Sequence, residues 1–143
     1  MTGVERIAAA WNKAFNAHDE ERIRELIDER AALTAPGDVA LEGRDAIVEY
    51  TMRWLNAFPD ATIRVERQIV SGDWVVQQYA FEGTHSDTLT GPAGDIPATG
   101  RRLTGPVADV TRIENGVMVE THLYFDQVNL LTQLGLMPEL ARA

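Results

Sequence analysis

One change of rhythm, near residue 60, limits what this chain can fold into. Before it, apolar residues recur three and four positions apart, the period of a helix; after it they alternate, the period of a strand. Val4, Ile7, Ala8, Trp11, Ala14, Phe15 and His18 make one stripe on a helix from about Gly3 to Ala17. Thr2 and Glu5 stand in front of it at capping-box spacing. Asp19 reads as the N-cap of a second helix, with Ile23, Leu26 and Ile27 facing inward. A short strand is expected near Ala31–Thr34, ended by Pro36 and Gly37. A third helix runs from about Arg44 to Ala57. Its stripe is Ile47, Tyr50, Thr51, Trp54, Leu55 and Phe58, and Pro59 stops it.

From Asp60 onward Ile63, Val65 and Ile69 alternate with polar neighbours. Ser71-Gly72-Asp73 is a turn. Trp74 to His85 is a second strand and Arg102 to Glu114 a third. Asn115-Gly116 is a hairpin signal, and Val117 to Phe125 is the fourth strand. A last helix, Gln127 to Leu134, stops at Gly135, with Pro138 after it. Helices first, then an antiparallel meander, then a helix make a single α+β domain over residues 1–143. A curved sheet wrapped around the N-terminal helices leaves a hole at its wide end, a shape that suits a small apolar or aromatic ligand.

Charge and cysteine count narrow the function. The 13 basic and 22 acidic residues give a net charge of −9. Binding nucleic acid takes a basic stripe that this sequence does not have, and an anionic membrane surface would repel it. There is no cysteine, so disulfides, thiolate metal sites and a cysteine nucleophile are excluded. The longest stretch free of charged side chains, Gln127 to Pro138, is too short to span a bilayer. Glu5 and Arg6 stand where a secretory leader needs an apolar run, so a cytoplasmic protein is expected. No dinucleotide fingerprint, P-loop or G-x-S-x-G elbow occurs, and the histidines lack metal-ligand spacing. No cofactor and no metal are expected.

Three stretches resemble a known group. Phe81-Glu82-Gly83-Thr84-His85, followed by Pro97-Ala98-Thr99-Gly100-Arg101, is similar to a "G-x-H … P-x-T-G-[RK]" pattern. Asp109-Val110-Thr111-Arg112-Ile113-Glu114-Asn115-Gly116 is similar to "D-V-x-R-x-x-x-G". His122-Leu123-Tyr124-Phe125-Asp126, with Leu130-Leu131-Thr132-Gln133-Leu134-Gly135 after it, is similar to "W-x-x-x-D … L-L-x-Q-L-G". All three are patterns of the SnoaL-like polyketide cyclases (ester cyclases), a group with the NTF2-like cone fold. The sequence departs from the group at His85-Ser86-Asp87, where the pattern has H-x-G, and at His122, where it has tryptophan. The resemblance implies a cofactor-free intramolecular aldol closure, with Asp126 as the acid/base carboxylate. Beside it, His85, His122 or Tyr124 is expected to donate to the developing enolate oxygen. It also leaves alternatives: a binding domain without catalysis, or another lyase, isomerase or hydrolase on the same fold. An epoxide hydrolase would need an arginine and two carboxylates around a water.

Each of these residues has a plainer role open to it. Asp126 sits where a strand passes into a helix, a favoured N-cap position. The last strand offers two faces: Met118, Glu120, His122, Tyr124 and Asp126, or Val117, Val119, Thr121, Leu123 and Phe125. Parity leaves open which one lines the site. His85 shares its parity with Val75, Gln77, Tyr79 and Phe81. Asp109, in mid-strand, reads first as half of an ion pair with Arg112 or Arg67 and second as a pocket carboxylate. Trp11, Phe15, Trp54, Phe58, Tyr79 and Tyr124 are candidates for the wall of the ligand site. Ser86 to Gly100 is a long loop, as lids often are. Aliphatic side chains on both parities of the last two strands predict a homodimer through the sheets.

Overall fold

The computed structural model describes residues 2–91 and 94–137. Pro92 of the expected lid loop and Pro138 lie outside them. Helix α1 (Gly3–Asn16) starts where the capping box predicts, with the Thr2 hydroxyl accepting from the Glu5 amide at 3.1 Å. The Asp19 carboxylate caps α2 (Glu20–Glu25) in the same way. Strands β1 (Ile27–Ala35) and β2 (Val39–Glu42) form a hairpin over the turn at Gly37 and Asp38, both at positive φ. Helix α3 (Arg44–Ala57) follows, then β3 (Thr62–Ser71), β4 (Trp74–Thr84), β5 (Arg102–Glu114), β6 (Val117–Phe125) and α4 (Gln127–Gln133).

The six strands make one sheet in the order β2-β1-β6-β5-β4-β3. β3 to β6 are the expected antiparallel meander, closed at its last hairpin by Asn115 and Gly116 at positive φ. β1 departs from the expectation: it joins β6 in parallel, so the sheet is mixed.

Directly opposed residues share a face, so the register reads out both sides of the sheet. Val75, Thr111, Thr121 and Leu33 form one inner row; Gln77, Asp109 and Leu123 form the next. Ile69, Val76, Val110, His122 and Thr34 form a row on the outer side. Pairing on β6 slips between Arg112↔Glu120 and Ile113↔Met118, which leaves Val119 as an extra residue. This bulge puts Met118 and Thr121 on the same inner side despite their different parity.

Helix α1 lies across the concave face. Asn16 pins it there, accepting from the Ile63 amide at 2.7 Å and donating to the Ile63 carbonyl at 3.0 Å. At the other side of the core the end of α3 closes on β4. Gly83 permits this, because a Cβ there would stand 3.1 Å from the Phe58 Cβ. Ile23, Ile27, Ile47, Leu55, Phe58 and Leu134 fill the space between helices and sheet.

Candidate active site

Between α1, α3 and the concave face of the sheet lies a cavity of about 140 Å³. That is the scale of cavities that accept one aromatic ring. Ile7, Trp11 and Phe15 of α1 form one wall and Tyr50 and Trp54 of α3 another. The inward residues of β4, β5 and β6 form the third, and the exposed side chains Asp126 and Asn129 mark the opening. Trp54 ties the apolar lining to the core, with ring centroids 5.8 Å from Phe125 and 6.4 Å from Phe81 in the lining and 6.0 Å from Phe58 behind it.

One carboxylate sits inside this apolar wall. Asp109 is 9 % exposed, and its Oδ1 accepts from the Thr111 hydroxyl at 3.0 Å. Burial pushes its pKa up from the ordinary 3.8 to about 6, against the opposing effect of the Thr111 hydrogen bond. The ion pair expected for Asp109 does not form. Arg112 points to the outer face and pairs with Glu120 and Glu114, and Arg67 donates to Gln78. Residues three apart on a strand face opposite sides, so Arg112 could never reach Asp109. That parity was the available signal for Asp109.

Gln77, Tyr79 and Tyr50 add further polar groups to the cavity wall. Gln77, directly opposite Asp109 on β4, is 3 % exposed and its Oε1 has no hydrogen-bond partner among the described residues. Tyr79 and Tyr50 also line the cavity. Burial raises the pKa of both phenols, so each keeps its proton as a donor.

The other expected site residues divide. Trp11, Phe15, Trp54 and Tyr79 line the cavity, as does Asp109. Asp126 stands at the mouth and caps α4, accepting from the Asn129 amide at 2.9 Å. Phe58 is fully buried in the core and does not line the cavity. His122 and Tyr124 face the outer side, because the Val119 bulge gives the inner side to Thr121, Leu123 and Phe125. His122 is held there between the Thr34 hydroxyl at 2.6 Å and the Glu120 carboxylate at 2.8 Å. His85 is fully buried beyond the end of the cavity, stacked on Phe58. It closes the neck of the loop that follows β4: its amide donates to the Arg101 carbonyl, its carbonyl accepts from the Gly100 amide, and its Nδ1 accepts from the Thr99 amide. Burial pulls its pKa down, favouring the neutral ring.

The SnoaL-like polyketide cyclase family profile matches residues 5–134. The chain belongs to that family. Among solved structures, this SnoaL-like domain is similar to IdmH of Streptomyces antibioticus, a candidate polyketide cyclase. The two are 29 % identical over 92 % of this chain and 98 % of IdmH, with a TM-score of 0.77. A candidate SnoaL-like polyketide cyclase from Jannaschia sp. CCS1 is 19 % identical over 95 % of this chain and 94 % of its own, with a TM-score of 0.83. A Mycobacterium tuberculosis epoxide hydrolase of the LEH-like type is 14 % identical over 92 % and 89 %, with a TM-score of 0.71. The last two share the NTF2-like fold, which by itself fixes no reaction. No curated protein matches the chain. Among the described residues, no helix of this SnoaL-like domain is long and apolar enough to cross a membrane.

Proposed function

We propose that the protein is a cytoplasmic cyclase that closes a ring in a small keto ester by intramolecular aldol addition, with Asp109 as its acid/base group. The observation that carries this is the burial of Asp109 in an apolar cavity with no cationic side chain among the described lining residues. A carboxylate so placed is ionised at neutral pH yet a stronger base than one in water. It takes a proton from the carbon between two carbonyls. The Tyr79 phenol or the Gln77 amide donates to the enolate oxygen that develops. The enolate carbon then bonds to a third carbonyl carbon, further along the same molecule. The new alkoxide recovers the proton from Asp109, so the product is an isomer of the substrate and no co-reactant is consumed. The aromatic walls keep the carbon chain folded with its ends together and exclude water.

Hydrolysis of an epoxide is less well supported. That chemistry needs an arginine and two carboxylates around a water. No arginine is among the described lining residues, and Asp126, the second carboxylate, stands at the mouth.

The test is turnover of synthetic poly-β-keto esters followed by absorbance and mass spectrometry. Asp109→Asn is expected to lose at least about a hundredfold while staying folded, the usual scale for removing acid–base assistance. An Asp109→Asn variant with wild-type turnover refutes the assignment. Ligands that quench Trp11 and Trp54 fluorescence but are never converted by the wild type would favour a binding domain instead.

A further inference from the structure

The environment of Asp109 contains a second layer of order that acid–base chemistry alone does not require. Asp109 and Thr111 are two residues apart on β5 and so share a face. Thr111 and Thr121 are directly opposed across β5 and β6. The Thr111 Oγ1 donates to Asp109 Oδ1 at 3.0 Å and lies 2.7 Å from the Thr121 Oγ1. Thr111 is 8 % exposed and Thr121 4 %.

A hydroxyl carries one proton. Thr111 commits its own to the ionised carboxylate, so the bond between the threonines has one direction: Thr121 donates and Thr111 accepts. We propose that Thr121 and Thr111 form a directed hydrogen-bond chain that positions Asp109, fixing Oδ1 and leaving Oδ2 for the substrate. Both threonines are positioning residues, acting through Asp109. Such a chain favours the charged carboxylate, because each hydroxyl polarises the next towards the negative charge. It holds in check the desolvation that would otherwise keep the acid neutral. This inference rests on the reading of Asp109 as the base.

Among the described residues that line the cavity, no other group near Asp109 competes with the chain for control of its charge. Gln77 from β4 and Leu123 from β6 oppose it and do not titrate. Tyr79 from β4 and Tyr50 from α3 are neutral phenols at these pH values. Helix α1 presents Ile7, Ala8, Trp11 and Phe15 to the cavity, and the remaining carboxylate, Asp126, is at the mouth.

The experiment is a pH titration of the Asp109 carboxyl carbon by NMR in the full chain, its signal assigned by its loss in Asp109→Asn. Thr111→Val keeps shape and strand preference but removes the hydroxyl, and is expected to raise the titration midpoint by about one pH unit. Thr111→Ser restores the hydroxyl and is expected to return the midpoint to the wild-type value. Thr121→Val leaves the Thr111–Asp109 bond in place and is expected to raise the midpoint by less than Thr111→Val does; it carries the test alone if Thr111→Val does not fold. An unmoved midpoint in Thr111→Val, or in Thr121→Val where that variant stands alone, overturns the proposal. So does a serine variant that behaves like valine. The titration needs no turnover. If the midpoints move as expected but Asp109→Asn keeps full activity, the chain stands and the base assignment falls.

Discussion

Asp109→Asn should make the protein more stable at neutral pH while abolishing its proposed chemistry. The folded-state pKa of Asp109 is raised, to about 6, above the ordinary 3.8. Below the lower value the carboxyl is neutral in both folded and unfolded chains, and the site costs nothing. As pH rises from there, the unfolded chain loses its proton first, and stability falls until the folded group also ionises. Above about 6 the penalty is complete. A shift of roughly two units, at about 1.4 kcal/mol each, sets it at about 3 kcal/mol. Asp109 is 9 % exposed, so solvent screening takes little from that figure. Asparagine removes the charge and keeps an oxygen for the Thr111 hydroxyl. Urea unfolding of both proteins at one concentration should give the variant an advantage of about 2–3 kcal/mol near pH 7.5, shrinking to about half a kcal/mol near pH 4. No advantage at the higher pH, or the same advantage at both, would refute the claim that a buried charge is the source.

Two further outcomes follow from the placement of other residues. Asp126→Asn should keep wild-type turnover and lose at most a few tenths of a kcal/mol, because asparagine caps a helix about as well as aspartate; Asp126→Ala should cost about 1 kcal/mol in a urea melt. The outer row Ile69, Val76 and Val110, with exposed Trp74 and Tyr124 near it, is an apolar surface, and a second copy of the chain is the occupant we propose for it. Sedimentation should find a homodimer that Val110→Arg converts to monomers with the cavity intact, and a monomeric wild type would remove this expectation.

The helices and the meander were legible because each buries one side, and burying one side imposes a period. α1, α3 and β3 to β6 lie close to where the periodicity puts them. β2 was not legible: four residues with alternate exposure carry too little pattern to stand out. Nor was the parallel seam between β1 and β6, since pairing over such a distance leaves no local mark. The candidate site was half legible. The aromatic wall follows from the helix stripes, but the lining of β6 depends on the bulge at Val119, and alternation cannot reveal an extra residue. Asp126 attracted the catalytic reading through its place in a motif, and a cap explains that place. Asp109 needed only its parity with Leu103, Val107 and Thr111 to be placed inside.

The seam between β1 and β6 also sets an order of events in time. It joins residues as far apart as Thr34 and His122, 88 positions along the chain. Closing so long a loop costs entropy before the seam returns any contact energy, so the local hairpins form first. On the ribosome, β1 and β2 leave the exit tunnel long before β6 exists. Until β6 arrives, β1 has an open edge of unpaired backbone groups, the kind of edge on which chains aggregate. The cavity's third wall therefore stays incomplete until β6 has been made. Co-translational helpers would have their greatest effect on this chain in that interval, and slowing translation between β2 and β6 would lengthen it.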